Sequence, residues 1–442
     1  VVHGTKGVLR AECFLQVCTV KKAFPGPKPG QWVLNGIFTS LRTIRLVLTN
    51  TLRFALGRLK PSPGIHQGVI EFHQALRQGL PLPVPPEEGR RMVAFMEEVS
   101  TAADRDKDAI RAEQFQHLPP ARILVTGATG FLGSALLKEL IASGEGPIRV
   151  LVRKPNAALT AAGVQVVCGD LGDAAIVDHA IRGTEIVYHV GAAMKGSAAD
   201  FERGTVFGTQ NIVESCLKHG AKKLVYVSSL SVMDHAGRDP NTRISEVSAY
   251  EPRPEDRGAY TQTKLKAEKI VLEAIQKYNL PAVVLRPGQI FGPGAEGISP
   301  SGAVGIAGRW LIVGSGNRTL PLIYVDDVVD ALLLAGKKVN LEGSVFQLVD
   351  PTPLTQREFV SYVKKSRPVK ATYVPGWLMM LMATGVEFLG KILKRGVPLT
   401  RYRVKSIYPL EGFDLSAAES RLGWKPRVGT REGLRITFPP KN

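Results

Sequence analysis

Tyr260 and Lys264 stand one helical turn apart in a stretch, Tyr260–Tyr278, whose apolar spacing predicts an amphipathic helix. The i, i+4 spacing puts phenol and ammonium on one face. A phenol with an ordinary pKa of about 10 exchanges protons poorly at neutral pH, and a neighbouring cation favours its phenolate. Upstream, Tyr226-Val-Ser-Ser229 closes an apolar run of strand type. Ser229 can hydrogen-bond an oxygen at that carboxyl end, with Ser228 as the substitute because alternation points the two apart. The chemistry open to these residues is proton exchange with the oxygen of an alcohol or ketone. Tyr260 would be the acid/base, Lys264 the modulator of its pKa, and Ser229 the orienting donor. A lone Tyr-x-x-x-Lys is common by chance as a surface pair, so its meaning depends on the surrounding elements.

The first such element is Val125-Thr-Gly-Ala-Thr-Gly-Phe-Leu-Gly133, which follows a strand pattern and opens a helical one. Gly127 suits a tight turn, Gly130 a close approach of backbone to a pyrophosphate, and Gly133 close packing of helix on strand. The helix start offers free N–H groups and a positive dipole end to phosphates. A nicotinamide dinucleotide is therefore the expected cofactor, held by Gly127, Thr129, Gly130, Phe131, Leu132 and Gly133, and Lys264 would also reach its ribose. The second strand ends in Leu151-Val-Arg-Lys154 and lacks the acid that binds a ribose 2′-hydroxyl in NAD enzymes. Arg153 and Lys154 would attract a 2′-phosphate. NADP is expected over NAD, which stays open, with Arg153 merely facing solvent or stacking on adenine as the bland alternative.

Positioning these residues requires an ordered set of elements. Strand-type runs lie at Ile123–Thr126, Ile148–Val152, Val164–Val167, Ile186–His189, Leu224–Ser228, Ala282–Leu285 and Val345–Val349. Helical stretches between them include Phe131–Ser143 and Thr209–His219. Apolar strands each followed by a helix predict an α/β fold, a doubly wound parallel (Rossmann) sheet. The expected domains are a dinucleotide-binding one over 119–285 plus 321–352 and a smaller, discontinuous substrate-side one over 286–320 plus 353–442. Residues 1–118 form an N-terminal α+β segment. There, Val33–Leu56, punctuated by Arg42, Arg45 and Arg53, reads as a helix lying on a sheet, with an interfacial membrane helix as the alternative. Val69–Gln78 and Glu87–Ala102 read as two more helices.

The net charge of +18 is uneven. Residues 121–352 carry 24 Lys/Arg against 23 Asp/Glu, residues 353–442 carry 17 against 6, and residues 1–120 carry 16 against 10. Cationic flanks around a neutral middle suit an acidic surface such as anionic lipid, or plain solubility. No zinc finger, RNA-binding aromatic motif or basic repeat is present, so nucleic acid is not expected. Cys13, Cys18, Cys168 and Cys216 have no metal-ligand spacing, so no metal is expected. Cys168 and Cys216 read as small core residues, which a reducing cytoplasm accommodates. No secretory signal pattern and no uninterrupted apolar run of about 18 residues is found. The expected location is cytoplasmic, with peripheral membrane contact and a homodimer as open alternatives. The expected partner is a small-molecule substrate.

Residues 121–437 resemble the extended short-chain dehydrogenase/reductase family of nucleotide-sugar epimerases and dehydratases, 3β-hydroxysteroid dehydrogenases and dihydroflavonol reductases. The resemblance rests on the glycine turn, Gly169-Asp-Leu171, Val187-Tyr-His-Val-Gly-Ala-Ala193, Gly208-Thr209, Tyr226-Val-Ser-Ser229 and Tyr260-x-x-x-Lys264. Leu285-Arg-Pro287, Tyr324-Val-Asp-Asp327, Asp414-Leu-Ser-Ala-Ala and Leu422-Gly-Trp-Lys-Pro426 continue it. It implies that Asp170 and Leu171 contact adenine, that Gly191, Ala192 and Ala193 lie along the cofactor, and that the loop after Pro287 approaches the nicotinamide amide. Separately, His3-Gly-Thr-Lys-Gly-Val-Leu9, Phe72-His-Gln-Ala-Leu-Arg-Gln-Gly-Leu-Pro81 and the Glu87–Glu98 helix resemble the C-terminal domain of the glucose–fructose oxidoreductase family. That resemblance implies a truncated neighbour domain with no catalysis of its own.

Departures from the family pattern narrow the reaction. Leu230-Ser231 follow Ser229 where sugar-nucleotide dehydratases place Asp-Glu. Gln289 and Leu320 replace the Asn and Arg that grip a sugar-nucleotide diphosphate, although Arg318 lies nearby, and Thr205 replaces a frequent Asn. Tyr373-Val-Pro-Gly-Trp-Leu-Met-Met-Leu-Met382 is apolar, as in hydroxysteroid dehydrogenase-like members; it could line a pocket, rest on a membrane or be a core helix. The expected function is a ketone/secondary-alcohol oxidoreductase with an apolar substrate, and the alternative is a nucleotide-sugar epimerase or dehydratase.

Overall fold

A computed structural model describes residues 2–4, 7–12, 17–22, 28–55, 63–116, 118–237, 242–295, 297–306, 309–393, 397 and 399–440. The chain divides into two compact units, Val1–Ile110 and Arg111–Asn442.

The first unit is the α+β segment. Strands β1 (Val2–Gly4), β2 (Gly7–Glu12) and β3 (Val17–Lys22) form an antiparallel sheet in that order. Helices α1 (Lys28–Ala55), α2 (Pro63–Gln78) and α3 (Pro86–Gln116) follow. Pro63 and Pro86 sit at helix starts, where a missing N–H costs nothing, and Glu87 and Glu88 complement the helix dipole in the first turn of α3. That helix continues well past Ala102, through a polar run of good helix formers. Helix α1 packs on β3 yet leaves Ile37, Leu41, Ile44 and Leu48 exposed at helical spacing.

In the second unit the elements alternate as the apolar runs predict. In chain order they are β4 (Ile123–Thr126), α4 (Phe131–Ala142), β5 (Ile148–Val152), α5 (Ala157–Ala161), β6 (Gln165–Cys168), α6 (Ala174–Ile181) and β7 (Ile186–His189). Next come α7 (Ala198–Phe201), a π-helical stretch Glu202–Phe207, α8 (Gly208–His219) and β8 (Lys223–Val227). Then follow α9 (Pro254–Arg257), α10 (Ala259–Tyr278) and β9 (Ala282–Pro287). With β15 (Val345–Leu348), to which the intervening elements lead, they form a seven-stranded sheet, order β15-β9-β8-β7-β4-β5-β6, parallel throughout.

Period-2 alternation splits each strand between two cores. Ile123, Val125, Val225, Val227, Val283 and Leu285 pack with Leu132, Leu136 and Leu140 of α4 on one face. Leu124, Leu224, Tyr226, Ala282 and Val284 pack with Ile176, Ile212, Val213 and Val271 on the other. Cys216 is buried in that second core and Cys168 half-buried in β6, and both are free thiols.

The intervening elements form the smaller, discontinuous part. They are β10 (Gln289–Phe291), β11 (Ala303–Ile306), β12 (Arg309–Val313), β13 (Thr319–Leu320) and β14 (Leu322–Tyr324), whereas α11 (Val325–Lys337), which follows β14, packs on α4 and the main sheet. After β15 come β16 (Leu354–Thr355), α12 (Gln356–Ser366), β17 (Lys370–Val374), α13 (Gly376–Leu393), α14 (Arg401–Ser406) and α15 (Gly429–Thr437). Parallel pairing of β12 with β17 joins chain segments from either side of β15. Helix α13 leaves Trp377, Leu381, Met382 and Phe388 exposed. Among the described residues no helix is long and apolar enough to cross a membrane, and no cluster of three or more His, Cys, Asp or Glu could hold a metal.

Candidate active site

The strand order reverses direction between β4 and β7, so their crossovers part there and leave a crevice beyond the carboxyl ends. Gly127 follows β4 with φ +71°, and a Cβ there would meet the Gly191 backbone at 2.7 Å. A Cβ on Gly133 would lie 2.1 Å from the Gly127 carbonyl oxygen, so only glycine lets α4 pack so close to the turn. Gly130 caps α4 with no side-chain hydrogen bond, leaving the first N–H groups of the helix for an outside acceptor. This cradle fits a pyrophosphate by its backbone alone. Thr129 and Gly130 are exposed, Phe131 half-buried and Leu132 buried.

Around the crevice the other expected residues take definite places. The Gly191 N–H donates to Thr126 Oγ1 (3.1 Å), and the Ala193 N–H donates to Thr205 Oγ1 (3.0 Å). Ala192 between them is half-buried. Asp170 accepts from the Gly172 N–H (2.9 Å) and pairs with Arg203 (3.2 Å), while the Leu171 carbonyl accepts from Asn211 (2.8 Å). Pro287 closes β9 and is buried. Arg153 and Lys154 are exposed on the bend after β5, and neither has an acidic partner among the described residues.

The residues expected to handle the proton lie around the end of β8 and the start of α10. The Ser229 hydroxyl, just past the end of β8, accepts from the Ser231 N–H (3.1 Å). Gly258, with φ +97°, releases the chain from α9 directly into α10. That turn brings Tyr260 into the first turn and Lys264 into the second. Burial pushes the Tyr260 phenol up, and donation from Ser229 pulls it part of the way back. Lys264 is 3% exposed; its Nζ donates to the Val227 carbonyl (2.8 Å) and lies 5.3 Å from the Tyr226 ring centroid. Burial brings its ammonium down to about 8, opposed by the Glu268 carboxylate.

Two sets of partners had no place in the sequence reading. His189 ends β7, with Nδ1 2.8 Å from Thr126 Oγ1 and Nε2 3.0 Å from Thr209 Oγ1, so one imidazole fastens β4, β7 and α8 beside the crevice. Burial, and then Lys264, push it down to about 3, so it is neutral. Glu268, fully buried, accepts from Arg286, Tyr250 and Ser228. Ser228 is thus engaged away from Ser229. Glu268 lying one turn past Lys264, and Arg286 inside Leu285-Arg-Pro287, were the available signals.

The positions that depart from the family pattern have structural partners. Gln289 donates to the Ser299 carbonyl (2.7 Å) and accepts from Ser301, Leu320 is core, and Arg318 pairs with Glu411 (2.6 Å). Beside the start of α10 a cavity of about 540 Å³ is lined by Arg257, Gly258, Pro321, Arg403, Ile407 and Leu410, among others.

Residues 123–348 match the NAD dependent epimerase/dehydratase family. A 2-alkyl-3-oxoalkanoate reductase of Stenotrophomonas maltophilia is 32% identical over 71% of this chain and 97% of its own. A 3beta-hydroxysteroid-dehydrogenase/decarboxylase isoform of Arabidopsis thaliana is 30% identical over 71% of this chain, which spans 61% of the plant protein. The solved structure of MoeE5 in complex with UDP-glucose and NAD has the same fold, with a TM-score of 0.54 and 24% identity over 72% of this chain and 97% of its own.

Proposed function

The chain belongs to the NAD dependent epimerase/dehydratase family, and from that premise we propose that it is an oxidoreductase for a largely apolar ketone or secondary alcohol. The observation that carries the proposal is that Lys264, one turn past Tyr260 on α10, reaches the Val227 carbonyl two residues before Ser229, with no acid following Ser229 in the chain to eliminate water. When bound, the nicotinamide supplies or takes up the hydride at the carbinol carbon. Tyr260 gives its proton to the substrate oxygen in reduction and takes it back in oxidation. Ser229 donates a hydrogen bond to the same oxygen and orients it. Lys264 holds the ribose and, as a cation, favours the Tyr260 phenolate. The cofactor would rest on Gly127, Thr129, Gly130, Phe131, Leu132 and Gly133, pass Gly191–Ala193, and set its adenine against Asp170 and Leu171, its amide near Pro287.

Two features favour an apolar substrate. One is that the 2-alkyl-3-oxoalkanoate reductase and the hydroxysteroid dehydrogenase are named for an alkyl-bearing keto acid and a hydroxysteroid, and the other is that Ile407 and Leu410 give an apolar side to a cavity beside α10 that Arg257 and Arg403 also line. We take the segments 286–320 and 353–442 as the substrate side. The second reading is nucleotide-sugar epimerisation or dehydration, backed by the name of the family and by the UDP-glucose held by MoeE5. Against it stand the buried Leu320 and the Glu411-paired Arg318, which offer no evident diphosphate clamp. For the cofactor, the exposed Arg153 and Lys154 favour NADP, while the family name and the MoeE5 complex name NAD.

Net oxidation of reduced cofactor by an alkyl ketone is expected, and Tyr260→Phe should lose about 100-fold or more in turnover while still binding cofactor. Full turnover by Tyr260→Phe would refute the acid/base role. Epimerisation of a UDP-sugar without net redox change would establish the second reading. NADPH should bind at least about tenfold tighter than NADH, a difference of about 1.4 kcal/mol, and a preference for NADH would end the argument from Arg153 and Lys154.

A further inference from the structure

We propose that Glu268 is a positioning residue whose carboxylate, clamped by Arg286, Tyr250 and Ser228, keeps Lys264 charged beside Tyr260. The inference rests on the acid/base reading of Tyr260 and Lys264 given above.

The clamp is saturated. Glu268 Oε1 accepts from Tyr250 (2.7 Å) and from Arg286 Nη2 (2.6 Å), Nε of Arg286 reaches both oxygens (3.1 and 3.2 Å), and Ser228 donates to Oε2. Arg286 is itself 1% exposed, and it donates further to the Glu246 carbonyl (2.8 Å) and to Tyr250 (2.8 Å). A buried ion pair is weak evidence of stability, because apolar residues of similar volume often do as well. A reason for this one lies in what adjoins it. Ser228 ties the clamp to the peptide that carries Ser229, and α10 places Lys264 one turn from Glu268.

Lys264 has few other sources of negative potential. On α10 it stands one turn past Tyr260 and one turn before Glu268, and it is met from β8 by the Tyr226 ring and the Val227 carbonyl and from β7 by His189; Arg286 of β9 stands behind Glu268. His189 is neutral, and burial holds both tyrosines protonated at neutral pH. Glu268 is then the anion in this set. Losing it leaves Lys264 with burial, which lowers its affinity for a proton, and with a stranded Arg286, which acts in the same direction.

The test is a titration of the Lys264 ammonium by NMR in the full-length protein carrying isotope-labelled lysine, assigned with Lys264→Met. Glu268→Gln alone strands Arg286 and can fail to fold. The decisive variant is therefore Glu268→Gln with Arg286→Met, which removes both members of the pair and strands no guanidinium. The Lys264 midpoint should fall by about one pH unit or more, a tenfold change in proton affinity, and Glu268→Asp should restore it. The alkaline limit of turnover should move down with it. A folded double variant whose Lys264 midpoint is unchanged would overturn the proposal. This readout needs no catalysis, so a Tyr260→Phe protein with full turnover would sink the acid/base reading separately.

Discussion

His189 shows how a single side chain couples the fold to pH. An imidazole ordinarily titrates near 6.5, and here burial brings it down to about 3. The unfolded chain therefore takes up a proton near 6.5 that the native protein refuses until about 3. Stability from the neutral imidazole is complete above about 6.5 and is lost as pH falls toward 3, by up to about 1.4 kcal/mol per pH unit. Replacing His189 with Gln should flatten the fall in unfolding free energy between about pH 6.5 and 4.5, read by denaturant titration. Parallel curves for the two proteins would show that His189 does not refuse the proton. Residues at this scale were unevenly legible. Tyr260 and Lys264 announce themselves by spacing, since one helix carries both. Ser228 and Ser229 cannot be told apart by strand alternation, because β8 ends at Val227 and its phase no longer applies. Glu268 and Arg286 lie on different elements, and the packing of α10 on the sheet brings them together.

Elements were legible where one period dominates. The run at Ile186–His189 appears with the bounds expected from its apolar residues, because a strand buried on both faces needs little else. Short strands such as β13 and β16 carry no such pattern, and their pairing exists only in the folded chain. Helix α13 is a case in which periodicity could not choose among pocket wall, core helix and membrane face. Its exposed Trp377, Leu381 and Phe388 recur at helical spacing, and Lys405 of α14 is exposed nearby in the chain, whereas Arg401 pairs with Glu387 of α13 (2.8 Å). We propose peripheral contact with an anionic bilayer through this face. The full chain should co-sediment with anionic vesicles more than with zwitterionic ones. Trp377→Ser with Phe388→Ser should lower that partition roughly tenfold. Equal sedimentation of variant and parent would place any contact elsewhere.

At the scale of the molecule, charge and fold divide the chain differently. The near-neutral middle contains the whole seven-stranded sheet, whereas the cationic excess lies in residues 1–120 and 353–442. The α/β class was legible because every strand of that sheet precedes or follows a helix in a regular rhythm. The smaller part was legible mainly as an interruption of that rhythm, since its strands pair across β15 and no local pattern records such partners. Within the larger unit, α10 acts as a graduated scale. Tyr260, Lys264 and Glu268 are marks four residues apart, about 6 Å each along the axis. Gly258 fixes the zero of that scale. An error in the zero displaces every mark by the same amount, so Ser229, the Val227 carbonyl and Arg286 would lose their counterparts in one step. Accuracy at this site is set by where a single helix begins, and small changes at that origin should read out as whole-site failures.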